Sequence, residues 1–357
     1  MRICYVSHSD SHFTRPYVDY FSQRGNEVHL VSILGAGLPG AINHLPLGRN
    51  FSPTLRSLGY LRALPVVRKI LRSLRPCIVH AHYVSSNGVL AAFSGCHPLV
   101  LSARGSDLHG LWNPVRRAVL RYALTRADLV NQVSRAFERD LISLGASAAR
   151  ILTLSQGVES ARFLTHRSSA PQDGVRLLCT RSLSPHYNPR GIVQALAILR
   201  SRRVSFRFLF AAGGPQESSL KREVARRGLV DHVTFRGGYT QDELPALLAQ
   251  ADVYVSASYS DGTSVSLLEA MASGAFPVVS DVAGNREWIS GNGDGRLFVP
   301  NDPGHLADCL QEAIEGTDLR RFAVRTNRRT IDARGERTRN LAELAGAYTE
   351  LWDRAAR

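Results

Sequence analysis

The sequence predicts an α/β protein built from two doubly wound parallel-sheet domains, and three observations carry that expectation. The chain has 357 residues, 44% of them hydrophobic and 21% charged, enough for two sizeable cores at about 150 residues per domain. Short β-branched runs alternate with helical patterns through the first half, and the alternation restarts in the second; alternation of this kind gives parallel sheets covered on both faces. Between the halves, residues 157–174 lack periodicity and hold Gly157, Ser168, Ser169, Pro171 and Gly174, the composition of a linker. Domains are therefore expected over 1–156 and 175–337.

Taken in order, a strand over Ile3 to Ser7, a helix near Thr14 to Gln23 and a strand over Glu27 to Ile33, after the stop at Gly25, make a βαβ opening. Strands follow at Cys77 to His82, Leu99 to Ala103, Asp128 to Val133 and Arg150 to Ser155, separated by helical patterns near Asn87 to Phe93, Val115 to Leu124 and Arg135 to Ser143. In the second half Val175 to Thr180, Ser205 to Ala211, Val233 to Phe235 and Val253 to Ala257 read as strands. Helices fall near Gly191 to Arg200, Glu217 to Arg226, Glu243 to Ala249 and Val265 to Ser273. The tail from Pro303 to Arg357 is helix-rich with no strand pattern and must pack on what precedes it.

Composition excludes several classes. No apolar run approaches the roughly 20 residues of a membrane span, and the N-terminus enters a strand pattern instead of a signal sequence. The five cysteines are scattered and lack CxxC spacing, so they read as buried apolar residues of a reducing cytoplasm. Net charge is +14, carried by 44 basic residues of which only Lys69 and Lys221 are lysines. Residues 1–160 hold 18 basic and 8 acidic residues, and no acid occurs between Glu27 and Asp107. Within that stretch, residues 55–75 interleave Arg56, Arg62, Arg68, Lys69, Arg72 and Arg75 with leucines, Val67 and Ile70 in a basic amphipathic pattern interrupted by Pro65. Such a face suits an anionic membrane or a phosphorylated acceptor, and it equally suits a solvated helix over a core stripe. Basic charge alone gives only nonspecific phosphate affinity, so no nucleic-acid partner is expected.

Two parallel-sheet domains suit a nucleotide-bearing ligand, bound where strand C-termini meet helix N-termini. The turn after the first strand, SHSDSHFTR at Ser7 to Arg15, has no glycine, which argues against a nicotinamide site, and no P-loop occurs. The informative segment is Val253 to Asp281, VYVSASYSDGTSVSLLEAMASGAFPVVSD: a strand, a short loop, a helix closed by Gly274, and a strand after Pro277. Asp261 precedes the helix and Glu269 lies inside it, while the N–H groups of Gly262, Thr263, Ser264 and Val265 open toward any phosphate. Carboxylates at these places can accept from ribose and sugar hydroxyls.

This segment resembles the nucleotide-sugar signature of retaining glycosyltransferase family 4, in which an acid, Gly and LLEAMA precede a buried Pro and strand. RICYVSH in the first strand, VHAHY at Val79 to Tyr83, GSDL at Gly105 to Leu108, QGVE at Gln156 to Glu159, GGP at Gly213 to Pro215 and VTFRGGY at Val233 to Tyr239 extend the likeness over almost the whole chain. The resemblance implies a GT-B fold: two facing Rossmann-like domains with a cleft between them, an N-terminal acceptor domain, a C-terminal donor domain, and a last helix at about 338–357 packing back on the first. By the same likeness Glu269 binds ribose, Asp261 meets the donor-sugar hydroxyls, and Gly262 to Val265 cradle phosphate and sugar. Arg181 grips the diphosphate, with Arg190 a second charge. Gly238 and Tyr239 lie near the base. Tyr187 stands about where the family has a lysine, in RSLSPHYNPRG.

His82 joins Arg181 and Asp261 as a catalytic candidate, and His12, Arg15, Arg104 and Asp107 are candidates for the acceptor side. The family's histidine before the GSD-like turn is Arg104 here, a cation that can bind phosphate but cannot act as a base. His80 and His82 are spaced i, i+2 without a third ligand nearby, and no DxD pair occurs, so neither a divalent metal nor any cofactor is expected. The implied chemistry is front-face retention, in which the leaving phosphate helps deprotonate the acceptor hydroxyl. The expected partners are a nucleotide-sugar donor and a hydroxyl acceptor, a polysaccharide or lipid-linked precursor, at a cytoplasmic site that can be peripheral to the inner membrane face. A soluble natural-product acceptor, an inactive nucleotide-sugar sensor and an anionic-surface binder are the alternatives.

Overall fold

The computed structural model describes residues 1–11, 13–33, 35, 37–46, 56–108, 110–163 and 174–357. The chain forms two compact units, Met1–Gln156 with Thr338–Arg357, and Gly157–Arg337.

In the first unit, β1 (Arg2–Val6), α1 (Arg15–Ser22), β2 (Glu27–Val31), β3 (Ile42–His44), α2 (Arg56–Leu74), β4 (Ile78–His82), α3 (Val89–Ser94), β5 (Leu99–Ala103), α4 (Pro114–Arg126), β6 (Leu129–Gln132), α5 (Glu138–Ser143) and β7 (Ile151–Thr153) follow in order. The seven strands are all parallel, in the order β3-β2-β1-β4-β5-β6-β7. The order reverses direction between β1 and β4, so the crossovers leave their C-terminal ends uncovered side by side. Strand burial is continuous, as a sheet covered on both faces requires; β4 and β5 are buried at every position. Ala63, Val67 and Leu71 of α2, Leu90 and Ala91 of α3, and Leu120 and Leu124 of α4 share one core with β4 and β5.

Two features depart from expectation. The edge strand β3 is only three residues long and carries no periodic signal of its own; it exists through its pairing with β2. The basic stretch 55–75 is not interrupted at Pro65: α2 runs through it, with Pro65 on the exposed side.

The second unit continues with β8 (Val175–Cys179), α6 (Pro189–Ser201), β9 (Phe206–Phe210), α7 (Glu217–Arg226), β10 (Val233–Phe235), α8 (Leu244–Ala249), β11 (Val253–Ser256), α9 (Val265–Ser273), β12 (Phe276–Ser280), α10 (Ala283–Arg286), β13 (Arg296–Phe298), α11 (Pro303–Glu315) and α12 (Thr317–Thr330). Its six strands are parallel in the order β10-β9-β8-β11-β12-β13, reversing between β8 and β11. Helix starts are capped from sequence: Asn188 accepts from the Gly191 N–H, Ser264 from Leu267 and Asp302 from His305. Helix α9 ends at Gly274 in the left-handed region, φ 81°.

The last helix, α13 (Arg337–Ala356), lies with the first unit from Thr338 onward. Leu341, Leu344 and Tyr348 enter the core of Ile3, Tyr5, Phe21 and Ile78, and the Tyr348 ring stacks on Phe21 at 5.2 Å. Burial of each such side chain is worth about 1.5–3 kcal/mol. The Tyr348 hydroxyl also hydrogen-bonds His80 Nδ1 within this core.

Candidate functional site

At the reversal point of the second sheet, Arg181 follows β8 and the loop 258–264 follows β11, which brings together residues 80 positions apart. Arg181 Nη2 donates to both Asp261 carboxylate oxygens at 3.0 Å, and Nη1 donates to Ser264 Oγ at 2.9 Å and Ser266 Oγ at 3.0 Å. The pair is largely buried, with 12% and 14% of the two side chains exposed. The Tyr187 ring lies 4.2 Å from the Arg181 guanidinium carbon, a cation–π contact. Tyr254 supports the group by donating to Ser266 Oγ at 2.9 Å, and the Arg181 Nε is buried without a partner among the described residues.

The loop that holds Asp261 is clamped from below. A Cβ on Gly284 of α10 would sit 1.9 Å from the Gly262 carbonyl oxygen and 2.4 Å from that of Asp261, so only glycine allows α10 this close. Trp288 Nε1 donates to Thr263 Oγ1 at 3.3 Å. Gly214 packs its Cα against the Leu183 backbone, where a Cβ would come within 2.6 Å, fixing the turn after β8.

Glu269 sits one turn into α9 and is 8% exposed. It makes no hydrogen bond to a described residue, and burial raises its carboxyl to about 7, against the opposing pull of Arg337, Arg162 and Arg181. Tyr239 lies near enough for that carboxylate to push its hydroxyl pKa upward, an effect second to burial. The Gly238 carbonyl accepts from Arg236 at 2.8 Å. Arg190 is not part of this group: it projects to Glu223 at 2.8 Å with 63% of its side chain exposed, and Glu223 also binds Arg227.

In the first unit, His82 ends β4 fully buried, with Nδ1 3.1 Å from Ser7 Oγ at the end of β1. Arg104, just after β5, directs Nη2 to the Tyr17 hydroxyl at 3.3 Å and lies 5.1 Å from the Phe13 ring. Burial, then Arg104, holds the His80 and His82 imidazoles well below their ordinary pKa, so both are neutral. Asp107 is spent on the backbone: its carboxylate accepts from the N–H groups of Arg104 at 3.0 Å, Gly105 at 2.8 Å and Val84 at 2.8 Å. Arg15 pairs with Asp19 on the surface of α1. His12 lies outside the described residues, as do 164–173 of the expected linker. Among the described residues no group of three His, Cys, Asp or Glu could hold a metal ion, and no helix is long and apolar enough to cross a membrane.

Sequence reasoning missed Ser266, Tyr254 and Ser7. Ser266 carries a signal, since a serine two places after the cap Ser264 points back at the same guanidinium. The others are ordinary strand and loop residues until the sheet order is known.

Comparison with known proteins places this geometry. Residues 2–134 match the glycosyl transferase 4-like family and residues 162–330 the glycosyl transferases group 1 family. A GDP-mannose-dependent α-(1-6)-phosphatidylinositol monomannoside mannosyltransferase of Mycobacterium tuberculosis is 27% identical over 243 residues, covering 64% of this chain and 63% of that protein. The chain thus spans less than two thirds of that relative's length. A GDP-mannose:cellobiosyl-diphosphopolyprenol α-mannosyltransferase of Xanthomonas oryzae is 25% identical over 288 residues, 75% of this chain and 74% of that one. The Anabaena HepE structure in complex with UDP superposes with a TM-score of 0.78 at 18% identity, covering 98% of this chain and all of that one. With two parallel-sheet Rossmann-like units and two matching family regions, the chain belongs to the GT-B glycosyltransferases of the family 4-like group.

Proposed function

We propose that the chain is a retaining glycosyltransferase that moves a sugar from a nucleotide-sugar donor, held by the second unit, to a hydroxyl of a polysaccharide or lipid-linked acceptor, held by the first. The observation that carries this reading is the pairing, at one sheet reversal, of a buried carboxylate with no hydrogen-bond partner among the described residues, Glu269, and a buried cation, Arg181, facing the start of α9. Glu269 accepts from the two ribose hydroxyls. The diphosphate takes the N–H groups of Gly262 to Val265 and draws on Arg181, whose fixed charge stabilises the leaving group as the glycosidic bond breaks. Asp261 accepts from sugar hydroxyls, and Tyr239 borders the base. His82 and Arg104 stand on the acceptor side. With arginine and helix N–H groups meeting the phosphates, no divalent metal or other cofactor is required. The leaving phosphate takes the acceptor proton, which leaves the anomeric configuration unchanged.

A lipid-linked acceptor is favoured by the two relatives whose names carry lipid-borne acceptors and by the first unit's surface. Arg62, Arg68, Lys69 and Arg72 of α2 are exposed, as are Trp112 and Val115 at the start of α4 (88% and 72%), with no acid between Glu27 and Asp107. Basic and aromatic groups together suit an anionic interface, each cation adding about 1 kcal/mol. On this reading the enzyme is cytoplasmic and peripheral to the inner membrane face.

The test is thermal stabilisation by UDP, GDP, ADP, dTDP and CMP, followed by the anomeric configuration of the product made from the selected donor. A nucleotide at 100 times its dissociation constant stabilises by about 2.7 kcal/mol. Silence toward all five, or an inverted product, overturns the reading. Turnover that a chelator abolishes overturns the metal-free step. Replacing Arg68, Lys69 and Arg72 by Glu abolishes sedimentation with anionic vesicles and spares nucleotide binding; wild-type protein that ignores such vesicles at low salt refutes the membrane contact and favours a soluble acceptor.

A further inference from the structure

At the reversal point of the first sheet, two groups face inward without the partners their chemistry demands. The guanidinium of Arg104 has five N–H donors. Among the described residues its one hydrogen bond runs from Nη2 to Tyr17, and Nε and Nη1 are buried with no hydrogen bond to any of them. The nearest carboxylate in sequence, Asp107, is consumed by three backbone N–H groups, and no described carboxylate forms an ion pair with Arg104. A cation so placed is costly unless an anion meets it.

The second group is the His82 imidazole, and its hydrogen-bond chain fixes which nitrogen carries the proton. The Thr14 hydroxyl donates to the His8 carbonyl at 3.0 Å. Its only hydrogen is thereby used, so in the 2.7 Å contact with Ser7 it is Ser7 that donates. The Ser7 oxygen must then accept from His82 Nδ1–H at 3.1 Å. In the neutral ring the lone pair is left on Nε2, which is buried and has no partner among the described residues. An acceptor is therefore presented beside an unpaired cation. The two share Tyr17, whose ring lies 4.7 Å from the His82 ring and 5.5 Å from the guanidinium carbon of Arg104.

These groups are layered. His82, Ser7 and Thr14 are fully buried, whereas Arg104, Phe13 and Tyr83 are only partly so and form the outer wall. Tyr83 is held at φ 69°, a left-handed conformation that a bulky residue adopts at a cost, at the strand end where ligands of open parallel sheets bind. The Asp107 carboxylate ties the turns after β4 and β5 together beneath this wall.

We propose that Arg104 and His82 form a binding site for a phosphate ester carrying a free hydroxyl beside its phosphate, with a phosphate oxygen on the guanidinium and the hydroxyl donating to His82 Nε2. The inference rests on the reading of the first unit as the acceptor domain and names the class of acceptor: a phosphorylated polyol, free or lipid-borne. Arg104 orients the phosphate at the outer wall while His82 holds the hydroxyl in the inner layer.

The test uses the full chain with its nucleotide site saturated by the diphosphate that stabilises it best. Glycerol 3-phosphate serves as the soluble ester, phosphatidylcholine vesicles containing lysophosphatidic acid as the lipid-borne one, and glycerol as the control. Wild type binds at least one of the esters and not glycerol; binding of glycerol 3-phosphate identifies a soluble source, and binding confined to the vesicles a lipid one. Arg104→Gln weakens that binding at least about tenfold, Arg104→Lys recovers part of it, and nucleotide affinity stays unchanged in both. The 15N resonances of His82 show the Nδ1–H tautomer in the free chain, and the Nε2 signal shifts when ester is added. Equal ester affinity in wild type and Arg104→Gln, a protonated Nε2 in the free chain, or displacement of the ester by nucleoside diphosphate with both affinities falling together in Arg104→Gln overturns the assignment. Nucleotide binding without ester binding refutes this site and leaves the proposed function standing; Arg104-dependent ester binding without nucleotide binding does the reverse.

Discussion

Replacing Glu269 by Gln separates the cost of this carboxylate from its use. Burial lifts the carboxyl from 4.5 to about 7, so the folded chain holds a proton there that the unfolded chain releases. A carboxyl whose folded pKa is raised contributes its full stability only below the unfolded value, and that contribution is lost as pH rises through the folded one. At about 1.4 kcal/mol per pH unit, the ionised form costs the empty protein about 3 kcal/mol at pH 8 and under about 1 kcal/mol at pH 5, relative to a neutral side chain of the same shape. Urea denaturation should therefore find Glu269→Gln more stable than wild type at pH 8, by an amount approaching about 3 kcal/mol, with the gap nearly closed at pH 5. Nucleotide binding should move the other way. Ribose hydroxyls donate to the ionised form, so wild-type affinity rises about tenfold from pH 6 to pH 8 as the ionised fraction grows, while the Gln variant binds weakly at both. Equal stability of the two proteins at pH 8, or a flat nucleotide affinity across that range in wild type, would refute the reasoning.

Removing Arg181 with Ala leaves Asp261 buried and unpaired, which should cost about 3–5 kcal/mol of stability in urea melts; Arg181→Lys, which keeps a charge without the fork to both Asp261 and Ser264, should fold and lose turnover more than donor affinity. Gly284→Ala forces a Cβ to 1.9 Å from the Gly262 oxygen and should displace the Asp261 loop, seen by calorimetry as nucleotide affinity reduced at least about tenfold. Asp107→Asn replaces one carboxylate oxygen by a donor and leaves a backbone N–H of Val84 or of Arg104 and Gly105 unpaired, for a loss of about 1–3 kcal/mol in chemical denaturation.

The α/β class and the long elements were legible because continuous apolar runs and helix punctuation are local. Ser264 before VSLLEAMAS and Gly274 after it mark α9 at both ends without reference to anything else in the chain. What stayed hidden is what depends on a neighbour. The strands β3 and β13 have three residues each and no apolar run that marks them off from the loops beside them, and they pair at the edges that β2 and β12 offer. Helix α2 passes through Pro65, which reads as an interruption until the apolar stripe of Ala63, Val67 and Leu71 is seen to anchor both sides of it in one core. At the site, Asp261 and Glu269 could be found from their spacing around a helix start. That Arg181 reaches Asp261, and that Arg190 turns to Glu223, depends on which strands and helices lie side by side, which no local pattern encodes.

The Arg181–Asp261 pair bears on how a donor would be recognised. Both oxygens of Asp261 accept from Nη2, and both hydroxyls, Ser264 and Ser266, from Nη1, so among the described residues only Nε of this guanidinium has no partner and each carboxylate oxygen already holds one donor. A diphosphate arriving at the start of α9 competes with Asp261 for the guanidinium, and each Nη2 contact it wins releases a carboxylate oxygen in the same pocket. That oxygen, buried and newly unpaired, is unstable until a hydroxyl donor replaces the lost N–H. The sugar supplies one. On the proposed reading, phosphate and sugar recognition are thus coupled through a single ion pair: a nucleoside diphosphate alone strands Asp261, whereas the intact nucleotide sugar satisfies both ends.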